Sequence, residues 1–63
     1  MDNTTPKPRY MIRVIGEQTP LHYSSYRTAY DCMLRYREMG KTALLMQYDP
    51  ETGDYAFADG VIG

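Results

Sequence analysis

Tryptophan is absent from this chain, and phenylalanine, histidine and cysteine occur once each. The lone Cys32 excludes an intramolecular disulfide, and with His22 it is too small a ligand set for structural zinc. A single thiol fits a reducing compartment, so a cytoplasmic location is expected. No apolar run approaches the ~20 residues of a membrane-spanning helix, and the N-terminus lacks a signal peptide's hydrophobic region. The formal charge is only −1, which argues against a protein held to nucleic acid by bulk charge and falls far short of a DNA mimic. The glycines end elements instead of forming a phosphate-cradling loop, and no carboxylate pair converges. His22 and Cys32 are the only natural base and nucleophile, with no third group to orient them. We therefore expect no enzyme, no cofactor and no metal.

What the chain does have is tyrosine, seven in 63 residues. Tyrosine offers a large rigid surface with a polar tip, which suits either a half-exposed core or a binding surface. A chain this short buries only roughly 60% of its unfolded surface. Such a core seldom yields more than about 3–5 kcal/mol, so support from a partner or a second copy is usual.

Residues 1–8, with Pro6 and Pro8 among small polar side chains, read as a flexible N-terminal arm. Residues 9–63 read as one domain. Arg9 to Ile15 is the first strand, with Tyr10, Ile12 and Val14 on its core face. Residues 17–23 read as a connection broken by Pro20, with Leu21 as a plug under the helix start. Ser24 or Ser25 caps a helix running to about Met39, and Gly40 is the left-handed residue past its end. Tyr26, Ala29, Met33, Tyr36 and Gly40 share its apolar side. Arg27, Thr28, Asp31, Arg35 and Glu38 form a solvated side whose charges are spaced for ion pairs. Thr42 to Tyr48 is the second strand, apolar on both faces over Ala43-Leu44-Leu45-Met46.

Tyr48-Asp49-Pro50-Glu51-Thr52-Gly53-Asp54-Tyr55 fixes the backbone most tightly. Pro50 presets φ for a type I turn, Asp49 accepts from the turn's own N–H groups, and Gly53 supplies φ > 0 to close a bulged hairpin. The run Tyr48 to Gly53 resembles chignolin, a designed minimal hairpin, which implies the turn and no function. The last strand then returns through Asp54 to Ala58. Tyr48 should face Tyr55, Met46 should face Phe57, and Leu45 should face Ala58. Asp59-Gly60 reads as a turn and residues 61–63 as a short tail. The bulky set Leu44, Met46, Tyr48, Tyr55 and Phe57 is expected under the helix. The fold class is therefore α+β, a small β-α-β-β domain with one helix on a three-stranded sheet that ends in a β-hairpin. A right-handed crossover would make the first two strands parallel, either adjacent or with the third between them, and the more hydrophobic second strand in the middle favours the order 1-2-3.

The expected function is a non-enzymatic protein-binding module contacting a larger host protein, with a homodimer through a sheet edge or the sheet's open face as a further partner. Size and layout are similar to those of accessory proteins with which phages and mobile elements inhibit host enzymes or defence complexes. The initial Met and short tail suggest a complete gene product. The expected anchors are Tyr30, Leu34 and Arg37, with Tyr26 beside them, because aromatic and guanidinium groups at a core margin make binding hot spots. The alternative is a single-stranded RNA or DNA binder with Tyr stacking and phosphate contacts from Arg9, Arg13, Arg27, Arg35 and Arg37. Against it stand the net charge and the acidic neighbours of Arg27 and Arg35.

Overall fold

The computed structural model describes residues 8–63. Of the arm expected over residues 1–8, only Pro8 falls among them, and the rest of that expectation lies outside the described residues. The elements are β1 (Tyr10–Val14), β2 (Leu21–Tyr23), α1 (Tyr26–Glu38), β3 (Ala43–Asp49) and β4 (Asp54–Val61). All strand pairs are antiparallel in one sheet ordered β2-β1-β3-β4, and α1 packs chiefly on β1 and β3.

Two expectations are corrected here: the sheet has four strands, not three, and the first strand runs antiparallel to the strand after the helix. Both corrections come from Leu21–Tyr23. Gly16, at φ 96°, turns the chain after β1. The three residues that follow Pro20 then pair back along it, Tyr23 with Tyr10 and Leu21 with Ile12. The helix therefore leaves from β2 and crosses to β3, so β2 and β3 are the parallel strands, on either side of β1. The expected order of the other three strands holds, as β1-β3-β4.

The helix forms where its caps place it. Ser25 is extended and its Oγ accepts from the Thr28 N–H at 3.4 Å. At the other end Gly40 takes φ 80°. Its N–H donates to Arg37 O, and the Lys41 N–H reaches back to Tyr36 O, both at 2.9 Å. Those two bonds are a Schellman closure, which satisfies carbonyls that the helix itself leaves open. Arg27, Asp31, Arg35 and Glu38 are exposed as expected, but no ion pair forms among them. Among the described residues the ion pair is Lys41–Glu17 at 2.7 Å, and the Glu17 carboxylate raises the Lys41 amine above its ordinary value. Exposed charges gain little over separate hydration, so their spacing alone did not pair them.

The hairpin takes the expected turn with a different closure. Asp49 Oδ1 accepts from the Glu51 N–H at 2.9 Å, and the Gly53 N–H donates to Asp49 O at 2.8 Å with Gly53 at φ 74°. Asp49 pairs with Asp54, so residues 50–53 form a four-residue loop. The register shift lies deeper, where Leu45 pairs with Asp59 and Met46 with Phe57. Ala58 is thus the extra residue of a bulge, and the expected Leu45–Ala58 pair does not form. Asp59 to Val61 is strand instead of turn and tail, and the bulge re-aims Val61 onto the core. Only glycine fits the Gly53 corner without strain, so Gly53→Val is expected to cost about 1–2 kcal/mol. Glu51→Ala should be nearly silent. Chemical denaturation decides it, and equal midpoints would refute this turn.

The core under the helix is Ile12, Val14, Ala29, Met33, Ala43 and Leu45, with Tyr10, Leu21, Tyr23, Tyr30, Tyr36 and Val61 packed around it. Tyr10, Ile12, Val14 and Leu21 sit where expected. The bulky set Leu44, Met46, Tyr48, Tyr55 and Phe57 does not. It lies on the face away from the helix, because the alternation that puts Ala43 and Leu45 in the core puts their neighbours outside. Bulk was a poor guide, since the helix rests on fully buried alanines, Ala29 and Ala43, and leaves the larger side chains uncovered.

Candidate functional site

Two surfaces gather side chains capable of binding. The first is the helix margin. Tyr26, 45% exposed, stacks on Tyr30 with centroids 5.8 Å apart and planes 25° apart. Its ring also meets the Tyr10 ring edge-on at 5.5 Å. Tyr30 is half-buried against the core, so it serves packing as well as any contact. Leu34 is half-buried and Arg37 exposed, one and two turns further along the same flank. The structure therefore joins Tyr26 to Tyr30. It records no ring contact or hydrogen bond between either of them and Arg37.

The second surface is the uncovered face of the sheet, whose residues were expected in the core. Its floor is Met11 beside Met46 on the two central strands. Its outer part is Phe57, 65% exposed, lying against Leu44 and Gly60, where a side chain on Gly60 would come within 3.2 Å of Leu44 Cδ2 and 3.3 Å of the Phe57 ring. Tyr48 and Tyr55 meet edge-on at 5.4 Å. Tyr55 also reaches the His22 ring at 5.9 Å and donates its hydroxyl to Pro8 O at 2.7 Å. Three strand spacings, about 14 Å, separate β2 from β4. Rings from those edge strands can meet only by arching over β1 and β3, which explains why Met11 is 7% exposed on a face with no helix. Alternation and the bulge together carried this signal, but the apolar run 43–46 reads the same from either face.

His22 and Cys32 lie on opposite sides of the sheet and form no pair. His22 contacts Tyr55, whereas the Cys32 Sγ sits 3.1 Å from the Tyr23 hydroxyl beneath the helix. A hollow of about 340 Å³ opens beside that contact, lined by Tyr23, Thr28, Asp31, Cys32 and Arg35. The hydrogen bond to Cys32, with burial second, pushes the Tyr23 phenol up to about 12. A phenol raised in the folded state contributes stability below its ordinary value near 10 and loses it as pH rises toward 12. Ultraviolet titration should show a late-titrating phenol at Tyr23 that Cys32→Ala brings back toward 10; an unchanged titration in that variant would exclude this cause. Among the described residues no three His, Cys, Asp or Glu side chains converge as metal ligands, and no helix is long and apolar enough to cross a membrane. Comparison with protein-family models, with curated proteins and with solved structures finds no match for this chain.

Proposed function

We propose that this protein is a non-enzymatic protein-binding module that covers a surface of a larger partner with the uncovered face of its sheet. One observation carries the reading. A four-stranded sheet with a helix on one side leaves Leu44, Met46, Tyr48, Tyr55 and Phe57 on the other, and Phe57 is 65% exposed. Contiguous apolar area of this kind marks interaction surfaces, and Tyr, Phe, Met and Arg are the residues enriched there. Occluding a host enzyme or defence complex is the form such binding takes in a small accessory inhibitor.

A second reading keeps the binding function and moves it to the helix margin, favoured by the exposed Tyr26 ring stacked on Tyr30 with Leu34 and Arg37 beyond. Substitutions separate the two. Phe57→Asp is expected to weaken capture of partners from a native cell extract about tenfold or more, with little change in thermal midpoint. Arg37→Ala should leave capture unchanged. The reverse pattern places the contact on the helix. Equal capture by both variants and the parent removes both surfaces.

A further inference from the structure

We propose that the uncovered sheet face takes a protein segment that is apolar at its centre and acidic at its margins. This rests on the protein-binding reading above and names the partner's chemistry.

The support is the way charge divides between the two sides of the sheet. Alternation along β1 puts Arg13 with Met11 on the uncovered face, and Arg9 continues the same row just before the strand. His22 stands on that face too, against Tyr55. Of the described carboxylate residues, Asp49 reaches the margin of the face, lining a hollow at the hairpin with Tyr48 and Phe57, and its Oδ1 is taken up by the Glu51 N–H. Glu17 and Glu51 are in loops, and Asp31 and Glu38 are on the helix. Asp49 and Asp59 alternate with Leu45 toward the helix side, and Asp54 pairs with Asp49. Among the described residues, the charged side chains in the row beside Met11 are thus cationic, in a chain of formal charge −1. Guanidinium groups beside apolar surface select carboxylates, which they grip with paired hydrogen bonds, and repel basic partners. Met46, half-buried between Met11 and Phe57 on the neighbouring strands, is soft and unbranched, so it accommodates apolar side chains of varied shape.

The same geometry disfavours two other occupants. A second copy packed face to face across a two-fold axis would bring one cationic row toward the other. Single-stranded nucleic acid needs ring faces presented for stacking. Here the Tyr48, Tyr55 and His22 rings contact one another at 64° and 60° and the Tyr55 hydroxyl is tied to Pro8, which leaves Phe57 as the large exposed ring among the described residues of this face and gives a strand of successive bases no row of platforms.

The test is selection of binders from a random displayed peptide library on the immobilised full chain, counter-screened on variants of matched thermal midpoint. Retained peptides should carry Asp or Glu flanking aliphatic or aromatic residues, and their affinity should fall as salt rises. The double variant Arg9→Glu, Arg13→Glu should weaken them about tenfold or more, and so should Phe57→Asp. Peptides that lose binding on Phe57→Asp but are not acidic, and ignore the arginine variant, overturn the acidic partner and leave the protein-binding face standing. Peptides indifferent to both variants overturn the face as well. Tight oligouridylate binding with steep salt dependence, or self-association abolished by Phe57→Asp, would replace the proposed occupant and overturn the inference.

Discussion

Leu45→Ala is expected to leave the chain largely unfolded at room temperature. Among the described residues, Leu45 is one of three large side chains, with Ile12 and Met33, that are fully buried. Truncating such a residue costs about 2–5 kcal/mol through lost transfer energy and the cavity left behind. A core of this size holds only about 3–5 kcal/mol in total, so the loss is comparable to the whole. Leu44→Ala is the matched control. Leu44 is the same residue type one position earlier, on the uncovered face against Phe57 and Gly60. Its truncation should cost roughly 1 kcal/mol or less, since half-exposed leucine loses less burial. Circular dichroism with urea titration measures both. Equal losses, or a larger loss at Leu44, would mean that the helix covers the other face.

Ala29→Leu should be nearly as damaging for the opposite reason. Ala29 is fully buried in the cluster that includes Ala43, and small side chains there let the helix approach the sheet closely. Three added carbons have no space unless α1 lifts or neighbouring rotamers strain, which costs about 1–3 kcal/mol. Lifting the helix would also pull Met33 off Ile12 and Leu45. A variant as stable as the parent would show that the helix has room to move and that the small-residue contact is incidental.

The caps, the turn residues and the core of β1 were legible in the sequence because each depends on local chemistry. Ser25, Gly40, Asp49 and Gly53 fix backbone geometry within a few residues of themselves, and Ile12 and Val14 alternate with a charged Arg13. Three other features depend on distant partners. Leu21–Tyr23 is too short to show a period of two, yet it adds a strand and reverses the direction of β1 relative to β3. The bulge at Ala58 has no sequence mark, although it decides that Val61 and not Ala58 meets the core. The run 43–46 is apolar on both faces and does not mark which one the helix covers; the structure buries Ala43 and Leu45 with Ala29 and Met33. The candidate site followed that last choice. Tyr26 and Tyr30 do come together at the helix margin, but the broader apolar surface lies on the face that bulk had assigned to the core.

The most direct test of the binding face is a map of the contact on isotope-labelled full-length protein, made by titrating in a peptide retained by the library selection and following backbone amides by NMR. Perturbations concentrated at Met11, Arg13, Leu44, Met46 and Phe57, with Ala29 to Arg37 unmoved, are the result expected if the uncovered sheet face binds. Perturbations centred on Tyr26, Tyr30, Leu34 and Arg37, with the sheet face unmoved, would contradict it.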